Sequence, residues 1–128
     1  MKKIVRSLAI LMLMGAFVLI SSAQTSSRET IKFAKGKTLA TVSRTISGDA
    51  GVITFIVNAK KGQRLNFTVE GEGDLGISLS RAGKQDYEFE SETGEPNEYM
   101  IVKTGEHFIT VVNHGNAQST ITLRVNLK

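Results

Sequence analysis

Strict alternation of apolar and polar side chains is the clearest pattern in this chain. Leu65, Phe67 and Val69 are apolar, and the residues between them are polar. The run 52–57 just before them is rich in β-branched and aromatic residues. Between the two runs lie residues 59–63, Ala-Lys-Lys-Gly-Gln, whose two charges and glycine favour a tight turn. The pattern predicts two strands joined by a polar turn as a hairpin.

Similar runs recur along the rest of the chain and are separated by short segments rich in Gly, Asn and Asp. The candidate segments are 30–33, 39–46, 52–57, 65–69, 75–79, 87–89, 99–102, 107–112 and 120–127. Because the segment 87–89 is weak, they predict about eight short strands. The last two are predicted to form a second hairpin across residues 113–116. Because no segment shows a convincing helical period, we predict an all-β fold, a single antiparallel β-sandwich of two sheets packed face to face.

The N-terminal segment has a different composition from the rest. Residues 1–23 combine a basic start, an uncharged apolar stretch and small residues at the end, which is typical of a secretory signal peptide. We predict cleavage after residue 23, and the alternative is a retained membrane anchor, for which the apolar stretch is short. The predicted organisation is a signal peptide (1–23), a flexible N-terminus (24–28) and one β-sandwich domain (29–128). The mature protein is then periplasmic or secreted, with no membrane span.

Charge and cysteine content narrow the function classes. The chain has 16 basic and 12 acidic residues, and three of the basic ones lie in the predicted signal peptide. The mature chain is therefore close to neutral, which disfavours nucleic-acid binding. It has no cysteine, so the hydrophobic core must hold an exported domain together without a disulfide.

Two parts of the sequence carry a family resemblance. Phe55, the turn 59–63 and the strand 65–69 resemble the second hairpin of bacterial pre-peptidase C-terminal-type domains. The segments 105–113 and 121–125 resemble the ending of the same domains. A closer resemblance is to the periplasmic inhibitors of g-type lysozyme, which share the turn 59–63 and have a similar start. The resemblance implies a small jelly-roll-like β-sandwich that acts by binding a lysozyme-like protein partner and is not an enzyme.

The resemblance also implies that binding residues lie in loops at one end of the sandwich. In the lysozyme inhibitors, an aromatic residue follows the glycine before the third strand, and the last hairpin carries arginines that enter the lysozyme cleft. Here Asp49 follows Gly48, and the loop 113–119 contains no arginine. The candidate partner-binding residues are Asp49, Asn113, His114 and Asn116.

An acidic segment offers a second candidate surface. Residues 85–102 contain six acidic residues and no Lys or Arg: Asp86, Glu88, Glu90, Glu92, Glu95 and Glu98. Such a surface could dock a basic protein, since complementary charge speeds and orients association. The alternative is a solvated face whose charges protect an edge strand from pairing.

Enzymatic and metal-binding motifs are not apparent in the sequence. There is no nucleophile elbow, zinc-ligand spacing or phosphate-binding loop. No loop has the alternating oxygen ligands that Ca²⁺ prefers. Of the two histidines, His107 is expected to be a half-exposed strand residue. We therefore predict a binding protein without catalytic residues, metal or cofactor.

Two alternatives to a lysozyme inhibitor stay open. Jelly-roll sandwiches often bind carbohydrate, and Tyr87 and Tyr99 are the aromatic residues that could form a sugar platform on a cell-wall glycan. The mature chain has no Trp, which disfavours this alternative. The other alternative is a stand-alone pre-peptidase C-terminal-like domain with a structural role.

Overall fold

A computed structural model describes residues 26–84 and 88–128 of the chain. These residues contain nine β-strands joined by loops. No residue in these two ranges lies in a helix. The strands are β1 (Ser26–Thr30), β2 (Leu39–Ile46), β3 (Gly51–Ala59), β4 (Arg64–Gly71), β5 (Leu75–Arg81), β6 (Phe89–Ser91), β7 (Asn97–Met100), β8 (Gly105–Asn113) and β9 (Ser119–Leu127). The predicted signal peptide at 1–23 lies outside the described residues, as do residues 85–87.

The strands form two sheets. The five-stranded sheet has the order β1-β3-β8-β5-β6, and the four-stranded sheet has the order β2-β9-β4-β7. All pairings are antiparallel except that of β1 with β3, which is parallel. Residues from both sheets contribute to one buried core. The predicted all-β sandwich is therefore confirmed.

The core is built from the apolar positions of the alternating strands. In β3, for example, Phe55 and Val57 are fully buried, and in β9 Leu123 and Val125 are fully buried. Among the described residues, 18 hydrophobic side chains belong to this core. Each fully buried large one contributes about 1.5–3 kcal/mol by leaving water. Because the chain has no cysteine, this burial holds the two sheets together without a disulfide.

The two predicted hairpins are wrong, although their strands and turns are present. β3 belongs to the five-stranded sheet and β4 to the four-stranded sheet, so the turn 60–63 carries the chain across the sandwich. The same is true of β8 and β9. A period of two shows that one face of a strand is buried, but it does not show whether the next strand lies beside it or opposite it. Among the described strands, β5 and β6 are the one pair that is consecutive in sequence and hydrogen-bonded.

The first strand lies earlier in the chain than the sequence predicted. β1 covers Ser26–Thr30 rather than 30–33, and it includes three residues assigned to a flexible N-terminus. It has no alternating apolar residues because it is a largely exposed edge strand. Parallel pairing with β3 orders it, and Glu29 forms an ion pair with Arg44 of β2. That ion pair connects the edges of the two sheets.

The seventh strand is also shifted, because β7 covers Asn97–Met100 rather than 99–102. Ile101 is buried next to the turn 60–63: its N–H donates to the Gln63 carbonyl at 2.8 Å, and its carbonyl accepts from the Gly62 N–H at 2.8 Å. The sixth strand, predicted at 87–89, is found at Phe89–Ser91, and Tyr87 lies outside the described residues.

His107 lies inside the sandwich, although the sequence predicts a half-exposed residue at this position. His107 on β8 is 1 % exposed. Its Nδ1 lies 3.1 Å from the Gly105 carbonyl, and because a carbonyl can only accept, Nδ1 carries the proton. Nε2 is buried without a hydrogen-bond partner. The charged groups nearby are Arg81 and Glu88, and the Tyr99 ring lies 6.3 Å from the imidazole.

Burial lowers the pKa of His107 below its ordinary value, and the positive charge of Arg81 adds to this. The hydrogen bond to Gly105 and the charge of Glu88 act in the opposite direction but do not offset burial. The folded protein therefore keeps His107 neutral at a pH where the unfolded chain protonates it.

We expect the free energy of unfolding to fall as the pH decreases from about 7.5 to about 5.5, through the ordinary histidine pKa. The reason is that the unfolded chain binds a proton that the folded protein excludes. Urea unfolding at each pH measures this slope. The His107→Phe variant, which fills the same space without a titrating group, should lose the part of the slope that His107 supplies. Equal slopes in both proteins would contradict this account.

Candidate functional site

Three loops meet at one end of the sandwich, which we call the loop end: residues 47–50, 72–74 and 114–118. β2, β4 and β8 end there, and β3, β5 and β9 begin there. Backbone hydrogen bonds connect the loops directly. The Asp49 N–H donates to the Gly115 carbonyl at 2.8 Å, and the His114 N–H donates to the Asp74 carbonyl at 2.8 Å. Three of the four predicted partner-binding residues lie within these loops, and Asn113 immediately precedes one of them.

The loop 47–50 is a tight turn with an unusual backbone. Asp49 and Ala50 both have positive φ, of 57° and 67°. Asp tolerates this conformation, whereas for Ala it costs about 1 kcal/mol. Hydrogen bonds to the neighbouring loop hold the turn in place, because the Ala50 N–H donates to the Asn113 carbonyl at 2.8 Å. The turn is therefore stabilised by its neighbours rather than by its own sequence.

Glycine is required where this turn touches the loop 114–118. A Cβ added to Gly48 would lie 2.2 Å from the Asn116 carbonyl oxygen, which is a backbone atom and cannot rotate away. A Cβ added to Gly76 on β5 would lie 2.9 Å from Nε2 of His114. The imidazole of His114 therefore lies directly over the backbone of β5. Close packing therefore fixes the backbone at Asn116, and the absence of a side chain at Gly76 leaves room for the His114 imidazole.

Asn113 has a structural role in this arrangement rather than a direct contact role. It is 1 % exposed. Its side-chain N–H donates to the Ala117 carbonyl at 2.9 Å, and its side-chain oxygen accepts from the Gly115 N–H at 3.0 Å. Its amide thus replaces the backbone hydrogen bonds that the loop 114–118 lacks. Asn113, which the sequence suggests as a contact residue, is instead buried beneath the other three.

Asp49, His114 and Asn116 are exposed on the loop end. Glu72 and Asp74, from the third loop, are exposed beside them. No Lys or Arg occurs in the three loops. This acidic character is not apparent from the sequence because the acids come from loops far apart in the chain. The loop end therefore presents three carboxylates, an imidazole and two amides, those of Asn116 and Gln118, on a fixed backbone.

The predicted acidic surface is only partly available for binding. Asp86 lies outside the described residues. Glu88 is largely buried and forms ion pairs with Arg81 and Lys84, both at 3.1 Å. Glu98 forms an ion pair with Arg64 at 2.9 Å.

The three other acids of this segment, Glu90, Glu92 and Glu95, are exposed, and we call them the acidic edge. They line an open concavity of about 670 Å³ at the connection between β6 and β7. The Gly94 N–H donates to the Val69 carbonyl at 2.8 Å, near the end of β4. The acidic edge therefore lies toward the loop end.

The predicted sugar platform is not supported by the position of Tyr99. Its ring is half-buried and packs between the rings of Phe89 and His107. The distances between ring centroids are 6.1 Å to Phe89 and 6.3 Å to His107. Burial, followed by the charge of Glu88, raises the pKa of Tyr99. Tyr87 lies outside the described residues. Tyr99 is thus part of an aromatic row along the edge of the core rather than an exposed ring.

Neither a metal-binding cluster nor a membrane-spanning helix occurs in the described residues. Within residues 26–84 and 88–128, no three His, Cys, Asp or Glu side chains form a group that could hold a metal ion. Within the same ranges, no helix is long and apolar enough to span a bilayer.

The fold is that of several bacterial proteins of known structure. Aeromonas hydrophila PliG, a periplasmic lysozyme inhibitor of g-type lysozyme, aligns with a TM-score of 0.73 and 18 % identity over 83 % of this chain and 100 % of PliG. Salmonella Typhimurium PliG, also a periplasmic inhibitor of g-type lysozyme, aligns with a TM-score of 0.66 and 20 % identity over 80 % of this chain and 99 % of that protein.

A second class of protein shares the fold. The pre-peptidase C-terminal domain of collagenase from Bacillus anthracis aligns with a TM-score of 0.62 and 16 % identity, over 80 % of this chain and 96 % of that domain. No family model matches this sequence. No curated protein matches it either. The resemblance noted in the sequence is therefore confirmed as a shared fold with both classes.

We expect Gly48→Ala to destabilise the protein by about 2 kcal/mol or more, because the new Cβ collides with a backbone oxygen. Gly36→Ala is the matched control. Gly36 has a positive φ of 76° but open space around it, so that change should cost about 1 kcal/mol. Urea unfolding measures both. If Gly48→Ala costs no more than Gly36→Ala, the loops do not press on each other as described.

Proposed function

We propose that this protein is an exported, non-enzymatic inhibitor of a g-type lysozyme and that it binds the enzyme through the loop end. Its fold is shared with two periplasmic inhibitors of g-type lysozyme, and the alignments cover nearly all of each. At 18–20 % identity this likeness concerns the fold alone. The choice of binding surface therefore rests on the residues of this chain.

The observation that carries the proposal is the rigidity of the exposed loop end. The loops 47–50 and 114–118 are joined by backbone hydrogen bonds and by the buried amide of Asn113. A loop that is already fixed loses little conformational entropy when it enters a partner's cleft. Asp49, His114 and Asn116 project from that fixed backbone and can form hydrogen bonds with a partner.

The charge of the loop end favours a particular type of contact. Asp49, Glu72 and Asp74 give it negative charge, and the acidic edge lies toward the same end. Complementary charge would steer it toward a basic surface on the enzyme. This mode of binding would therefore differ from one in which an arginine side chain enters the lysozyme cleft and pairs with the catalytic acid. We propose that this inhibitor binds basic groups at the rim of the cleft.

We expect the mature protein, residues 24–128, to slow the clearing of a bacterial cell-wall suspension by a g-type lysozyme. The inhibition should reach completion as the inhibitor is raised above the enzyme concentration, and a c-type lysozyme assayed in parallel tests selectivity. A folded protein, verified by circular dichroism, that leaves the g-type enzyme unaffected at large molar excess would refute the proposal.

A double variant, His114→Ala with Asn116→Ala, should weaken inhibition by about tenfold or more if these residues are central to the interface. Both side chains are exposed, so the fold should remain intact. Lys61→Ala, an exposed change at the opposite end of the sandwich, is the matched control and should leave inhibition unchanged. Equal inhibition by all three proteins would show that another surface binds the enzyme.

A further inference from the structure

The charges of this protein are separated between the two ends of the sandwich. The end opposite the loop end, which we call the basic end, is formed by residues 31–39, 60–64, 81–84 and 100–106. Because β1, β3, β5 and β7 end there, their following loops are brought together. Seven exposed lysines lie in these loops: Lys32, Lys35, Lys37, Lys60, Lys61, Lys84 and Lys103.

Hydrogen bonds make parts of this end one continuous surface. The Lys61 N–H donates to Oγ1 of Thr104 at 2.9 Å, and the Gly62 N–H donates to the Ile101 carbonyl at 2.8 Å. On the four-stranded sheet, the Thr38 carbonyl accepts from the Leu127 N–H at 2.9 Å. The loop 31–38 is thereby tied to β9, the strand beside β4.

The positive charge of the basic end is not neutralised by its acids. Glu88 pairs with Arg81 and Lys84, and Glu98 pairs with Arg64. Glu106 is the other exposed acid near these loops. Among the described residues, Lys84 pairs with Glu88, and the other six lysines form no ion pair. They are therefore available to an anionic partner.

The exposed large hydrophobic residues are also found at this end. Leu39 is 58 % exposed, Met100 is 47 % exposed and Val102 is 52 % exposed. A single exposed apolar side chain is ordinary. Here the three that the described residues contain all lie among the lysines, and none lies at the loop end. Burying them would be favourable for any partner that also offers negative charge.

We propose that the basic end binds the surface of an anionic lipid membrane. Its lysines would contact headgroup phosphates, while Leu39, Met100 and Val102 would enter the interfacial region. Lysine is depleted in the cores of protein–protein interfaces, so a protein partner fits this surface less well. A soluble polyanion could use the lysines but would gain little from the apolar residues. Binding at this end leaves the loop end pointing away from the membrane.

Co-sedimentation with lipid vesicles tests the proposal with the mature protein. We expect it to pellet with vesicles of phosphatidylethanolamine and phosphatidylglycerol and to stay in solution with vesicles of phosphatidylcholine alone. Binding should weaken as salt is raised, since the lysine contribution is screened. This assay needs no lysozyme, so its result does not depend on whether the protein is a lysozyme inhibitor.

Two variants separate the lysine and apolar contributions. Lys61→Gln with Lys103→Gln should weaken vesicle binding by about tenfold or more. Arg28→Gln with Arg124→Gln removes the same charge from other exposed positions and is the matched control, with a smaller expected effect. Leu39→Ser with Val102→Ser keeps the charge and should also weaken vesicle binding, while leaving binding to soluble polyphosphate unchanged.

Three results would overturn the proposal. The first is the absence of pelleting with the anionic vesicles at low salt. The second is equal weakening by the lysine variant and the arginine control, which would indicate attraction by net charge alone. The third is full vesicle binding by Leu39→Ser with Val102→Ser together with strong binding to polyphosphate, which would identify a soluble polyanion site instead.

Discussion

The whole structure depends on burying the apolar faces of two sheets against each other. Every described strand except the exposed β1 places at least one residue against this core, and no disulfide supports it. Nearly all connections between consecutive strands pass from one sheet to the other. The loops must therefore cross the edge of the core at one of two ends. This requirement gathers residues from distant parts of the chain into the loop end and the basic end.

The alternation of residues in the sequence was sufficient to locate most strands and to identify a sandwich. It could not identify which strands pair, because a buried face looks the same whether the next strand lies beside it or across the core. The strands β3 and β4 illustrate this, since both have the expected pattern and lie in different sheets. β1 was misplaced for the opposite reason. It buries so little that no pattern marks it.

The sequence located the candidate residues in loops but did not show which of them are buried. The sequence placed Asp49, His114 and Asn116 in loops, and the fold brings those loops together. It could not show that Asn113 is buried, because the burial of an amide depends on the loop that folds over it. His107 was misjudged in the same way. An inward strand position does not distinguish a histidine at the edge of the core from one inside it. The charge separation was likewise invisible, because each end collects charges from several loops.

The pairing order of the strands also bears on how the chain folds. β8 lies between β3 and β5 in one sheet, and β9 lies between β2 and β4 in the other. The last two strands of the chain are thus central in their sheets, and neither sheet can close before they arrive. Contacts between residues distant in sequence slow folding, because the chain loses the entropy of loop closure before the packing contacts stabilise it. For the exported protein proposed above, such a delay would keep the chain unfolded during its passage across a membrane.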